Sequence, residues 1–280
     1  MFGVLLAVAC YTISSLGDKY ISSKLKCSPA EFAFIVSFST MLWIGITLSL
    51  TGWGYQFNRR NGVILSLLVL WKLIELYTSA LLLKTVSAYE LKAWLGINIV
   101  CSYLYNVLCG IYQTDLRIIG CSAILLLGII MIVRERNWEQ TMTAGFGKLC
   151  VLFLLFIISK LLYGLTMNQM TEDCKATSVL FLVMFFVALL QLPRIHVREL
   201  AKRKGIGGAA LTRLPNAGGL IFEASVAMKS VFLFSMIQPV QLALLFAASL
   251  IQKEPMGKMK FLGSLICIFS VCAITVLIYY

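Results

Sequence analysis

Lys72, Glu75, Lys92, Lys160, Glu223 and Lys229 are ionisable side chains set inside long apolar stretches. A charge at the centre of a bilayer costs about 3 kcal/mol on even the lowest scales, so such a group faces a cavity or a partner. Lys72 and Glu75, three residues apart, share a helical face, with Ser79 one turn further on. Lys160 and Tyr163 share another face, as do Tyr89 and Lys92. Glu223 and Lys229 are six apart, about 120 degrees around a helix, so each must look to a different neighbour. Lys72, Glu75, Lys92, Lys160, Tyr163, Glu223 and Lys229 are therefore the candidate substrate-binding residues. Each has a plainer alternative: Lys84 and Lys92 lie near helix ends and can snorkel to the interface, Lys72 and Glu75 can form a structural ion pair, and the others can pack as scaffold.

The sign of this group selects among ligands. Lys72, Lys92, Lys160 and Lys229 outnumber Glu75 and Glu223, and still do so if Glu90 is buried beside Lys92. That balance suits a carboxylate, a phosphate or a zwitterion. Tyr11, Tyr77, Tyr103, Tyr105, Trp71 and Trp94 can add an aromatic wall, although interfacial belts and core packing also use such residues. Glu75 or Glu223 offers a carboxylate for proton coupling, whereas exchange against a counter-substrate needs none. Both schemes remain open.

Catalytic chemistry has little to build on. The lone histidine, His196, stands in the basic stretch Arg194-Ile195-His196-Val197-Arg198, where a solvated role is the ordinary one. Glu172-Asp173 is an isolated acidic pair in a polar link, and no HExxH motif occurs. The nine cysteines include no CxxC or CxH spacing, so no metal site, redox pair or cofactor is expected. Cys101, Cys109, Cys121, Cys150, Cys267 and Cys272 fall in apolar runs, where cysteine packs as a small hydrophobe. An intramembrane lipid-modifying enzyme or protease is thus disfavoured, and a channel or receptor lacks a filter sequence or a ligand-binding domain.

The elements that must position these residues follow from composition. Of 280 residues, 60% are hydrophobic and 13% charged, and the mean hydropathy is +0.91. A spanning helix takes about 20 apolar residues and a link roughly 5 to 10, so the chain accommodates ten crossings and no soluble domain. Apolar runs occupy positions 2–17, 30–50, 62–84, 88–109, 116–133, 147–167, 176–193, 215–236, 238–252 and 260–279. The first, with no basic leader and no small-residue cleavage site after it, reads as a spanning helix and not a signal peptide. The short ninth run, next to Pro239, is accommodated either by local thinning of the bilayer or by Pro239 sitting inside a longer, bent helix continuous with part of the eighth. Only 192–213 is a substantial link.

The chain matches itself at an offset of 143 to 145 residues. Phe2-Gly3 aligns with Phe146-Gly147, and Ser15 with Ser159. Ala80-Leu81-Leu82-Leu83-Lys84-Thr85-Val86 aligns with Ser225-Val226-Ala227-Met228-Lys229-Ser230-Val231, and Leu116-Arg117-Ile118-Ile119-Gly120 with Met259-Lys260-Phe261-Leu262-Gly263. Residues 1–140 and 141–280 then form two repeats of five helices. Because five is odd, the second enters the membrane in the opposite sense, giving inverted repeats within one all-α membrane domain. Such halves can exchange conformations and expose a central site to each side in turn.

This arrangement resembles the ten-helix, EamA-type branch of the drug/metabolite transporter superfamily. In that branch the fourth helix of each repeat runs into a Gly-Glu pair, with a Gly following in the last helix. Here Leu250-Ile251-Gln252-Lys253-Glu254-Pro255 keeps the Glu with Lys253 in place of Gly, and Gly263 follows. Cys109-Gly110-Ile111 keeps the Gly without the Glu, and Gly120 follows. The resemblance implies an alternating-access transporter, a monomer or homodimer in the lipid bilayer, expected in a bacterial plasma (inner) membrane. Pumps for lipophilic cations in the superfamily carry an acid within the first helix, and here the first acid is Asp18 at its end, which ranks quaternary-cation or multidrug export lower. The expected cargo is a small polar metabolite, an amino acid or related organic anion, with nucleotide-sugar or sugar-phosphate exchange as the alternative.

The net charge of +12 would suggest nucleic acid in a soluble chain. Distributed over ten helices it becomes a topology signal. Sixteen of the 24 basic residues flank or fill links after odd-numbered helices, and four, Arg59, Arg60, Arg117 and Lys175, lie in links after even-numbered ones. The positive-inside rule then puts the odd links in the cytoplasm and both termini outside. Cytoplasmic termini are the expectation from the family.

Overall fold

The computed structural model describes residues 2–19, 21, 25, 27–86, 88–134, 146–170, 173–251 and 257–279. Among these residues there is no strand, and nearly all are helical. The first half contains α1 (Phe2–Lys19), α2 (Pro29–Thr51), α3 (Arg59–Thr85), α4 (Ala88–Trp94), α5 (Ile97–Leu108) and α6 (Leu116–Arg134). The second contains α7 (Phe146–Asn168), α8 (Ala176–Gln191), the short α9 (Val197–Lys202) and α10 (Ile206–Leu211), α11 (Arg213–Lys229), α12 (Val231–Ile251) and α13 (Lys258–Tyr279). The Glu172 and Lys253-Glu254-Pro255 positions lie outside the described residues, as do the side chains of Tyr89 and Glu90.

Four helices, α2, α3, α7 and α8, are long and apolar enough to cross a membrane. Their outward faces carry Leu42 and Ile46, Val63 and Leu67, Leu154 and Ile158, and Phe185 and Leu189, all exposed. Apolar surface on this scale suits hydrocarbon and not water. Shorter apolar stretches lie in α1, α6 and α12.

Local chemistry fixes where the helices start and stop. Ser28-Pro29-Ala30-Glu31 opens α2 with a capping box. The Ser28 side chain accepts from the Glu31 amide at 3.2 Å, and the Ser28 amide donates to Glu31 Oε2 at 2.7 Å. Asn58 caps α3 by accepting from the Asn61 amide at 2.7 Å. The apolar run 88–109 is divided into α4 and α5 at Leu95-Gly96. There the Gly96 amide donates to the Ala93 carbonyl and the Asn98 amide to Leu95, both at 3.0 Å, a tighter turn than the α-helix. A Cβ on Gly96 would stand 3.0 Å from the Ala93 oxygen and 3.4 Å from Ile129 of α6. The boundary expected near Ile237 falls instead at Ser230, which is extended (φ −159, ψ 119). Its hydroxyl accepts from the Leu233 amide at 3.3 Å and starts α12. Phe232 to Met236 therefore belong to α12, with Pro239 inside that helix. The long link 192–213 folds into a 3-10 turn, Leu192–Arg194, and then α9 and α10.

The principal packing pairs are α1 on α11, α3 on α7, α2 on α8 and α6 on α13. The α6–α13 crossing uses small residues: a Cβ on Gly128 would lie 2.9 Å from the Gly263 carbonyl, and one on Gly263 2.7 Å from that of Gly128. Close backbone approach of this kind is how helices associate without a hydrophobic driving force.

Polar contacts define two ends of the bundle. At one, Asn168 Nδ2 donates to the Ala227 and Met228 carbonyls (3.2 and 3.1 Å), Arg60 reaches the Gln169 carbonyl, and Lys175 Nζ donates to the Thr51 carbonyl at 2.9 Å. At the other, Arg213 meets Asp18 and Arg203 meets Glu31. By these contacts α1, α2 and α3 alternate between the ends, as do α7, α8 and α11, and α1 and α7 run in opposite senses.

Candidate functional site

Four helices bring ionisable side chains to one buried cluster. Lys72 and Glu75 come from α3, Lys160 from α7, Glu223 from α11 and Tyr11 from α1. Lys72 Nζ donates to Glu75 Oε2 at 2.9 Å, the pair expected from their spacing. Lys160 Nζ lies 3.5 Å from Glu75 Oε1 and also ion-pairs with Glu223. The Tyr11 hydroxyl donates to the other Glu223 oxygen. Lys160 is thus held between carboxylates of both halves of the chain. Side-chain exposures of 4% for Lys72, 13% for Glu75, 5% for Lys160 and 1% for Glu223 show how little water reaches the cluster.

Such burial constrains the charges. Each buried ion forfeits hydration worth several kcal/mol, which only close partners offset. Here two lysines face two carboxylates in an alternating chain, and aromatic rings complete the shell. Lys72 Nζ lies 5.3 Å from the Tyr163 ring centroid, and Lys160 Nζ 5.3 Å from that of Phe234. The Tyr163 hydroxyl is buried with no hydrogen-bond partner among the described residues. Gly164 allows the Phe234 ring to close over α7, because a Cβ there would collide with that ring.

The cluster borders a cavity of about 70 Å³, room for a handful of waters. Tyr11, Ser14, Ser15 and Asp18 of α1 line it, facing Lys72, Glu75 and Ser79 of α3, Lys92 of α4, Lys160 of α7, and Arg213 and Asn216 of α11. The lining extends from Lys72 and Lys160, near the middle of α3 and α7, to Asp18 in the last turn of α1 and Arg213 at the start of α11, so the cavity runs from mid-bundle toward the end where Arg213 meets Asp18. Lys92 Nζ lies 5.8 Å from the Tyr11 ring centroid. Asn216 Nδ2 donates to Thr40 Oγ1 at 3.3 Å, joining α11 to α2 beside the cavity.

Of the residues expected from sequence, Lys72, Glu75, Lys92 and Lys160 line the cavity. Glu223 and Tyr163 touch its lining residues. Lys229 does not join them: it is exposed at the last turn of α11, at the opposite end of the bundle. Tyr11 is the one member of the suggested aromatic wall that reaches the cavity. Tyr77 instead donates to Gln191 at 2.5 Å, and Tyr103 packs in the α5–α6–α12–α13 core.

Arg213 and Asp18 are additions. Arg213 Nη1 donates to Asp18 Oδ1 at 2.5 Å, Nη2 points to the Ser14 carbonyl at 3.4 Å, and Nη2 and Nε approach Thr212 Oγ1 at 3.2 and 3.4 Å. In the sequence Arg213 closes a run of basic residues that reads as a solvated link. The signal that separates it is its place at the first position of an apolar helix, where a guanidinium has bilayer depth on one side.

Among the described residues no group of histidine, cysteine and acidic side chains has the makings of a metal site. No protein-family model matches the chain, and no curated protein is significantly similar to it.

Proposed function

We propose that the chain is a secondary transporter that carries a small carboxylate-bearing metabolite, an amino acid or related organic anion, by alternating access. The ten-helix, inverted-repeat organisation of the drug/metabolite transporter superfamily is the architecture we assign to it. The observation that carries this reading is a charged cavity deep among apolar helices, walled by both halves of the chain. Four cations and two acids line it, with Glu223 paired to Lys160 behind them, more charge than a scaffold needs.

Helix pairing supports the inverted repeat. Exchanging α1 with α7, α2 with α8, α3 with α11 and α6 with α13 turns the α1–α11 contact into α7–α3, and leaves α2–α8 and α6–α13 unchanged. The opposite senses of α1 and α7 fit the same relation. Two halves related in this way have two equivalent arrangements around a shared centre, and Lys160 with Glu223 and Glu75 stands at that centre. In the present arrangement the cavity leads to the end carrying the basic link, and Asn168 and Lys175 fasten the other.

The charge balance supports the substrate class. Lys72, Lys92, Lys160 and Arg213 exceed Asp18, Glu75 and Glu223 by one positive charge. A carboxylate neutralises that excess, and a neighbouring acid can receive the ammonium group of a zwitterion. The size of the cavity favours a small solute over a nucleotide conjugate.

Ligand-induced thermal stabilisation of the purified protein tests the assignment, because a ligand that binds the folded state raises its stability by mass action. Amino acids and organic acids should raise the melting temperature of the wild type, and Lys160→Gln should remove most of the shift. Stabilisation by quaternary cations and by no carboxylate would reject the assignment.

A further inference from the structure

We infer that Arg213 is the receptor for the substrate carboxylate at the cavity mouth, and that Asp18 occupies its place until the substrate arrives. This rests on the transporter reading above and names the group that first engages the cargo. The two partners are unequally held. Arg213 has no exposed surface, lies at the first turn of α11, and is oriented by Thr212 and the Ser14 carbonyl. The Asp18 side chain retains 27% of its exposure and sits in the last turn of α1. An incoming anion therefore meets a fixed cation and a displaceable acid.

The geometry also fits a carboxylate. Asp18 engages Nη1 through one oxygen, and a guanidinium fork can accept a bidentate carboxylate. Asp18 thus acts as an internal copy of the ligand. Leaving Arg213 desolvated with neither partner would cost the full penalty of a buried unpaired charge. Asp18 is consequently released only when another anion is at hand, so separation of α1 from α11 at this mouth becomes conditional on cargo. Lys92 and Lys72, lining the same cavity, give the displaced carboxylate's rival a cationic path inward.

The opposed effects of two substitutions test the inference. Binding of L-alanine, acetate, succinate and inorganic phosphate to purified full-length protein would be measured by calorimetry in wild type, Asp18→Asn, Arg213→Lys and Arg213→Gln. Removing the resident competitor in Asp18→Asn should tighten the carboxylate that binds wild type. Arg213→Lys, which keeps charge but loses the fork, should weaken it by about tenfold, the scale of one charge-assisted hydrogen bond. Arg213→Gln should weaken it further, and Asp18→Asn/Arg213→Gln should be as weak as Arg213→Gln alone. Phosphate binding that responds to these changes while carboxylates do not would overturn the carboxylate assignment. If Asp18→Asn weakens binding, or the double variant recovers wild-type affinity, the pair is structural and the inference fails while the transporter reading stands. If wild type binds none of the four probes but a bilayer lipid is chemically converted, both fail. Should Arg213→Gln not fold, Asp18→Asn and Arg213→Lys still give opposite signs if the inference holds and the same sign if it does not.

Discussion

Lys160 touches carboxylates of α3 and α11, so its replacement is felt in both halves of the bundle. Lys160→Met leaves Glu223 buried with only the Tyr11 hydroxyl, and should cost about 3 to 5 kcal/mol of stability, the usual scale for one broken buried pair. Lys229→Met, at an exposed helix end, should stay within about 0.5 kcal/mol. Denaturant titration in detergent distinguishes the two, and equal losses would mean that Lys160 is not held as described. The residues of this cluster were unequally legible in the sequence. Lys72 and Glu75 declare themselves through helical spacing, and the structure pairs them. Lys160 and Glu223 stand out as charges in apolar runs, but nothing local says that they meet, because their helices are joined only by tertiary packing. Lys229 shows the converse, since a lysine six residues from a buried glutamate stands exposed at a helix end, away from the cavity. Arg213 was hidden by the company it keeps among the basic residues of the preceding link.

At the scale of helices, close crossings carry specific demands. Gly128 of α6 lies against the Gly263 backbone and Cys267 Sγ, whereas a Cβ on Gly120 would meet nothing within 4 Å. Gly128→Leu should force α6 and α13 apart and destabilise by about 1 to 3 kcal/mol or more. Gly120→Leu, on the same helix, should be close to neutral. Similar melting temperatures for the two would contradict the crossing. Apolar runs in the sequence located most of the helices, and Ser28-Pro29-Ala30-Glu31 marks the start of α2 in plain view. The division of 88–109 at Gly96 was not legible, since the run is unbroken in hydropathy and the tight turn depends on how near α6 comes. Nor was the boundary at Ser230, because Phe232 to Met236 are as apolar as either helix. One hydroxyl cap settled it where hydropathy could not.

For the molecule as a whole, charge distribution and helix pairing speak to different questions. The basic residues of 194–213 share the end at which the cavity opens, and the positive-inside rule predicts a cytoplasmic location for that end. Single cysteines placed in a cysteine-free background at Gln56 and at Arg198 should then respond oppositely to an impermeant maleimide added to intact cells, with labelling at 56 and protection at 198. The reverse pattern would give the protein the other orientation and its termini the cytoplasmic location expected from the family. The proposed repetition at half length rests on Lys and Gly positions matched in the sequence, while the cavity was not legible there, because it exists only once α1, α3, α4, α7 and α11 converge. Alternating access to that cavity is the central claim. Its most direct test is uptake into proteoliposomes containing the purified protein, preloaded with an unlabelled amino acid or organic acid and offered the same solute labelled outside. Wild type should accumulate label by counterflow, and Lys160→Gln should reduce the rate to that of empty vesicles. Equal uptake by vesicles with and without protein, across carboxylates that bind the protein, would contradict it.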